Sequence, residues 1–372
     1  MNISRIRLLN IRNYEEADIF FPATVIVLYG NNGQGKTNLL EALYTGCIGK
    51  SYRGVTDVDL LRKSATNGSV IIDFIRNETE QNIKIVFSLH EKKRVSVNDT
   101  KVRTRELFGI LQEVMFSPED LQLIKGNPAL RRRFLDMEIS QTNPSYYKML
   151  LQYNKAVSQR NILLKRMKYE KDISLHEWDL QLARLAAYIV NKRKESLEKI
   201  SVVVKEIYRN LTSEKEKEIV KLTYIQPYKG STVEDTEDVY YELLRKNREK
   251  DIYRQSTSIG PHRDDFVMEN DLGELKKFGS QGQQRTAVLA LKMAELEFIK
   301  KENGEYPILL LDDVMSELDE ERRNALLSFV QGKVQTFITT TDDSFFRKEK
   351  EYSFLYVEKG KVRYDEHKKR NN

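Results

Sequence analysis

The residues best suited to chemistry fall in one octapeptide, Gly30-Asn31-Asn32-Gly33-Gln34-Gly35-Lys36-Thr37. Its pattern, G-x-x-x-x-G-K-[ST], is that of a phosphate-binding loop, in which glycines let backbone N–H groups converge on phosphate oxygens. A second group lies far along the chain, where the apolar run Leu309-Leu310-Leu311 ends in Asp312-Asp313. One carboxylate at such a strand tip can hold a Mg²⁺ shared with Thr37, and the next can position an attacking water. The third is Phe278-Gly279-Ser280-Gln281-Gly282-Gln283-Gln284-Arg285, ahead of an apolar helix at residues 286–299. A serine hydroxyl and backbone amides at a helix N-terminus form an anion site in their own right. The first loop already cradles its own phosphates, so a second phosphate-binding element suggests an ATP sandwiched between two copies of the chain.

The elements around these groups have the right character. Residues 23–29 (ATVIVLY) read as a short buried strand, and Leu39, Leu40, Leu43 and Tyr44 recur at helical spacing, making the loop a strand-to-helix turn. Alternation around Ile3, Ile6 and Leu8 starts a sheet, and residues 69–76, 82–89 and 93–97 read as a meander with a turn at Asn98-Asp99. Residues 113–116, 308–311 and 336–339 are further strands, and 355–357 with 362–364 form a hairpin around Lys359-Gly360. Ser117-Pro118-Glu119-Asp120 opens a helical segment. Leu150, Tyr153, Val157, Leu164 and Met167 keep three-four spacing, interrupted by Arg160. Trp178, Leu182, Leu185 and Ile189 continue into Leu197, Ile200, Val204, Ile207 and Leu211. Two long amphipathic helices joined near Lys171-Asp172-Ile173-Ser174 are expected, with Trp178 in the core. At 1.5 Å per residue a helix of about 35 residues spans about 50 Å, an antiparallel arm or helical subdomain. Residues 221–228 look strand-like, Glu234 to Asp238 read as an acidic loop, and the tail from His367 reads as frayed.

Composition narrows the setting. No stretch approaches the roughly 20 apolar residues of a membrane helix, and the amino terminus lacks a signal-type apolar segment. Cys47, the single cysteine, cannot form an internal disulfide and reads as a buried filler on the helix after the loop. A cytoplasmic protein without a membrane partner is expected. Residues 121–210 hold 18 Lys/Arg against 9 Asp/Glu, whereas the whole chain is only +6. That basic block suits a nucleic-acid or acidic-partner surface, or the solvated faces of long helices. Arg131-Arg132-Arg133 is its candidate phosphate contact, with an internally ion-paired run as the alternative. His262-Arg263, after Gly260-Pro261, could be a structural turn or line an ATP interface.

The loop, Ser280-Gln281-Gly282-Gln283-Gln284, Asp312-Asp313 and Ser316-Glu317-Leu318-Asp319, in this order, resemble the Walker A, signature, Walker B and D-loop motifs of ABC-type ATPase heads. The helical insertion between loop and signature resembles the SMC/Rad50 branch. Ser117 to Leu121, Ile124-Lys125-Gly126, Arg131 to Asp136, Gly260 to Asp265 and Gly279 to Arg285 are similar to the RecF family of bacterial recombination and replication-repair proteins. The resemblance implies an α/β, ABC-type P-loop ATPase head of mixed sheets flanked by helices. The head would comprise residues 1–120 and 251–372, with an inserted, mainly helical, basic arm at 121–250. It implies ATP and Mg²⁺ as cofactors, with Lys36 and Thr37 on phosphates and metal and Asp312 on the metal. Ser280, with Gly282 and Gln283, would reach the ATP of a second copy, and Arg12-Asn13 would lie near the adenine. It further implies an ATP-dependent homodimer on single- and double-stranded, gapped or junction DNA. Such a dimer works with RecR and RecO to load recombinase and supports SOS induction. The resemblance implies a DNA-stimulated ATPase, and two departures point to weak hydrolysis used as a switch. Asp313 stands where a longer glutamate is usual, and Thr339-Thr340-Thr341 occupies the region of the switch histidine. No Q-loop glutamine is identified. A nucleotide-gated scaffold whose arm docks an acidic partner and a transporter-type subunit are the alternative readings.

Overall fold

Apolar alternation at the amino terminus builds a six-stranded antiparallel sheet. Its order is Tyr14–Phe20, Asn2–Ile11, Asn67–Arg76, Thr79–Ser88, Arg94–Val97 and Thr100–Val102. The hairpin turns at Asn77-Glu78 and Asn98-Asp99 carry positive φ at both central residues, as two-residue connections require. The computed structural model describes residues 1–170, 172–212, 219–226, 233–347 and 351–365. Lys171, Pro227-Tyr228 and the tail from His367 lie outside the described residues.

The chain divides into two compact units, Met1–Asp120 with Glu295–Asn372, and Leu121–Ala294. The first holds that antiparallel sheet and a second one ordered Lys361–Tyr364, Ser353–Glu358, Val25–Tyr29, Thr336–Thr340, Ile308–Asp312, Glu113–Phe116. Strands from Ser353–Glu358 to Glu113–Phe116 run parallel, and every residue of Ile308–Asp312 and Thr336–Thr340 is buried, which accounts for the apolar run Ile308 to Leu311. The helix Lys36–Ile48 touches both sheets and buries nearly all of its surface, Cys47 included. Gly46 permits the approach, because a Cβ there would meet Ile72 Cδ1 at 2.1 Å. Thus the phosphate loop is anchored on its C-terminal side by a helix with no solvent face.

In the second unit, Pro144–Arg166 and His176–Leu211 pack antiparallel. Arg160 meets Asp179 near the joined ends, and Tyr146 meets Arg193 further along. Leu182, Ala186, Ile189, Leu197, Ile200 and Val204 form the buried stripe. Trp178 is only half-buried, because Leu175, Asp179 and Leu182 take the inward positions of that turn. The acidic segment expected as a loop belongs instead to the helix Val233–Lys246. There Thr236, Tyr240 and Leu244, four residues apart, are buried along one face. Lys221–Ile225 pairs antiparallel with Asp265–Asn270. That pairing accompanies a second unit extending through Ala294, beyond the arm boundary at residue 250.

Candidate nucleotide site

Strand Val25–Tyr29 delivers the loop, and helix Lys36–Ile48 leaves it. Gly30, Gly33 and Gly35 all have φ in the left-handed region. At Gly35 (φ 119°) a side chain would strike Asn13 Nδ2 at 2.5 Å, so glycine is required there twice over. Asn13 braces the loop: its Nδ2 donates to the Gln34 carbonyl at 2.8 Å, and its Oδ1 accepts from Asn38 at 2.9 Å. The Gln34 carbonyl also accepts from the Gly360 N–H, and the Lys359 N–H donates to Gln34 Oε1, both from the carboxyl-terminal hairpin.

An open cavity of ≈ 310 Å³ lies over the loop, lined by Asn32, Gly33, Gly35, Lys36, Thr37, Asn38, Arg53, Asp313 and Thr339. Lys36 Nζ donates to the carbonyls of Gly30 at 2.6 Å and Asn31 at 2.9 Å. Burial lowers the Lys36 ammonium from its ordinary value, opposed by the carboxylates of Asp313 and Asp312. Thr37 Oγ1 donates to Asp312 Oδ1 at 2.9 Å, which brings residues 275 positions apart into direct contact. Thr339 Oγ1 donates to the same oxygen at 2.9 Å and accepts from the Asp313 N–H at 2.9 Å. Asp313 adopts φ 54°; burial, then the neighbouring Asp312 charge, raises its carboxyl above the ordinary range. A hydroxyl and a carboxylate beside such a cavity are hard oxygen donors that suit Mg²⁺. Among the described residues no cluster of three or more His, Cys, Asp or Glu could cage a metal alone.

Other expected residues have partners of their own. Arg12 forms a two-pronged ion pair with Glu41, at 2.8 and 2.9 Å, and the Glu41 side chain is 1% exposed. In the second unit, Ser280 is exposed at the start of Gln281–Asn303. Its N–H donates to Gln283 Oε1 at 2.7 Å while its Oγ accepts from the Gln283 N–H at 3.2 Å, a reciprocal capping box. Gly282 is exposed in the same first turn.

Arg131 must be removed from the phosphate-contact candidates. It is buried, its guanidinium meets Asp265 at 2.8 Å through two nitrogens, and it donates to the Leu123 and Gly126 carbonyls. Three adjacent helical residues face three directions; Arg132 is half-buried and bonds the Asp264 carbonyl at 2.8 Å, and Arg133 alone is exposed. His262 is likewise engaged within its unit. Nε2 faces the Thr257 carbonyl at 3.0 Å, which can only accept, so Nδ1 accepts the Tyr153 hydroxyl at 2.6 Å. It serves there as a structural turn.

Sequence reasoning missed Tyr52 and Arg53, which follow the loop helix. The Tyr52 hydroxyl donates to Asp312 Oδ2 at 2.8 Å, and Arg53 reaches the cavity. Their only signal was an aromatic-basic pair after Gly49, which also occurs in ordinary loops.

Comparison with known proteins follows this geometry. Residues 2–363 match the family model described as the RecF/RecN/SMC N terminal domain. The chain is 41% identical over 344 residues to the DNA replication and repair protein RecF of Clostridium tetani (strain Massachusetts / E88), covering 92% of this chain and 93% of that one. It is 41% identical over 368 residues to the RecF of Clostridium botulinum (strain Okra / Type B1), covering 98% and 100%. A solved structure of the recombination mediator protein RecF with ATP in the RecFOR pathway superposes with a TM-score of 0.91 at 34% identity, covering 98% of this chain and 97% of that one. An Smc head bound to the C-terminal winged-helix domain of ScpA shares the fold, with a TM-score of 0.58 at 16% identity, covering 98% and 97%.

Proposed function

The chain belongs to the RecF family, within the wider RecF/RecN/SMC group of head ATPases, and from that premise we propose that it is an ATP-dependent DNA-binding protein of replication-gap repair and recombination. The observation that carries the nucleotide part is the Thr37–Asp312 hydrogen bond beside the ≈ 310 Å³ cavity. It brings the expected metal-holding hydroxyl and carboxylate together at the mouth of a glycine loop. Bound Mg²⁺ would neutralise phosphate charge there. Lys36 and the amides of residues 30–37 would hold the phosphates, and Asp313, on the cavity wall, would orient the attacking water. Asn13 braces the loop through Gln34, and Arg12, paired with Glu41, is proposed with it to lie near the adenine.

Ser280, Gly282 and Gln283 are proposed to close over the ATP of a second copy. Support comes from the exposed capping turn at a helix N-terminus, where the helix dipole favours an anion. ATP binding then drives head-to-head dimerisation on gapped or junction DNA, and slow, DNA-stimulated hydrolysis releases it. RecR and RecO are the proposed protein partners, recombinase loading and SOS induction the proposed outcomes. No helix among the described residues is long and apolar enough to cross a membrane. Sedimentation with a slowly hydrolysed ATP analogue tests this function. The parent should sediment as a dimer only with nucleotide, and Ser280→Arg should bind nucleotide but stay monomeric. A parent that stays monomeric at saturating nucleotide would sink the shared-site reading.

A further inference from the structure

The two oxygens of Asp312 have different duties. Oδ1 accepts from Thr37 Oγ1 and Thr339 Oγ1, both of which line the cavity, at 2.9 Å each. Oδ2 accepts from the Tyr52 hydroxyl at 2.8 Å. The Tyr52 ring is held from several sides. It packs edge-on against Tyr44 with centroids 5.4 Å apart, and the Arg53 guanidinium lies 5.7 Å from its centroid. The preceding residue is tied down too, because the buried Ser51 hydroxyl donates to buried Glu41, the acid already gripped by Arg12. Tyr52 is therefore on a braced loop and cannot follow Asp312 if the carboxylate turns.

We propose that Tyr52 is a positioning residue that keeps Asp312 one-oxygened toward the nucleotide's metal and so sets a preference for Mg²⁺ over Ca²⁺. The proposal rests on the nucleotide reading above. Mg²⁺ takes octahedral sites and a single oxygen from each carboxylate, whereas Ca²⁺ accepts six to eight ligands and commonly both oxygens of one carboxylate. To present both oxygens to one ion, Asp312 must turn, which strains the Tyr52 bond along with those from Thr37 and Thr339. Tyr52→Phe removes the hydroxyl, with its bond to Asp312 and its interaction with Arg53, and keeps the ring and its packing on Tyr44; the metal-free measurement reads the Arg53 part separately.

The experiment measures affinity for a fluorescent ATP analogue in EDTA, in Mg²⁺ and in Ca²⁺, for the parent and Tyr52→Phe, with melting temperatures to compare folding. The parent should favour Mg²⁺. The variant should keep its EDTA affinity while the Mg²⁺-to-Ca²⁺ affinity ratio falls roughly tenfold, the worth of one hydrogen bond. An unchanged ratio overturns the proposal. So does a parallel loss in all three conditions, which would make Tyr52 merely structural. A parent that binds no nucleotide in any condition refutes the nucleotide reading itself, which keeps the two failures apart.

Discussion

The guanidinium of Arg160 meets the carboxylate of Asp179 at 2.7 Å with both side chains wholly withdrawn from solvent. A second nitrogen of Arg160 reaches Asp251 at 2.7 Å and Thr257 at 3.1 Å, so one side chain ties together three helices of the second unit. Removing one partner of such a network strands buried charge, which costs about 3–5 kcal/mol. Arg160→Met should lower stability by that order in urea unfolding. Arg160→Lys should recover only part of it, because a single ammonium cannot reproduce the planar fork. Equal stability of all three proteins would show that the network contributes nothing.

Two buried groups in the same unit give opposite pH dependences. Burial raises the Asp264 carboxyl from 3.8 to about 6. Burial also lowers the His262 imidazole from 6.5 to about 4. Folded Asp264 holds its proton more tightly than the unfolded chain, so its contribution is present below pH 3.8 and lost as pH rises through about 6. Folded His262 holds its proton less tightly, so its contribution is present above pH 6.5 and lost as pH falls through about 4. The two nearly cancel in the parent. Asp264→Asn should unmask the histidine. Its stability relative to the parent should improve by on the order of 3 kcal/mol between pH 4 and pH 7, read from urea midpoints. A constant offset across that range would refute the assignment.

The adjacent arginines should separate stability from DNA binding. Arg131→Ala breaks a two-pronged pair with Asp265 at 7% side-chain exposure and should destabilise by about 3 kcal/mol or more. Arg133→Ala changes an exposed side chain and should leave stability within about 0.5 kcal/mol. On the proposed DNA reading it should instead weaken binding to gapped duplex and reduce the salt slope by about 1. A salt-independent affinity of the parent would remove phosphate contacts altogether.

What could be read in the sequence follows from how local each signal is. The loop, its strand and its helix are contiguous, so Gly30 to Thr37 and the burial of Leu39, Leu40 and Leu43 were legible from spacing alone. The place of Asp312 beside Thr37 was legible because an apolar strand ending in acids was read together with the phosphate loop. Arg131 was not: an arginine chosen by Asp265, 134 positions away, looks the same in sequence as one left for DNA. Tyr52 was hidden for the same reason, since its partner is 260 positions distant. The helix Val233–Lys246 was missed because its acidic start outweighed three inward residues, Thr236, Tyr240 and Leu244, of which two are polar-tipped.

Asp313 allows the chemistry of the cavity to be tested without disturbing its backbone. Its φ of 54° lies in the left-handed region, which asparagine tolerates nearly as well as aspartate. Alanine there would add backbone strain of about 1 kcal/mol and confuse the result. Asp313→Asn keeps the size of the side chain and its place on the cavity wall, and removes its charge together with its capacity to accept a proton. If Asp313 orients and deprotonates the attacking water, single-turnover hydrolysis should slow by about 10²–10⁴-fold. Nucleotide affinity should hold or rise, because a carboxylate facing phosphate charge has become neutral. The ATP-dependent dimer should then persist for as long as hydrolysis is delayed, which sedimentation at successive times would follow. Hydrolysis at the parent rate would remove Asp313 from the reaction and leave the water to be positioned by another group of the cavity wall, such as Thr339.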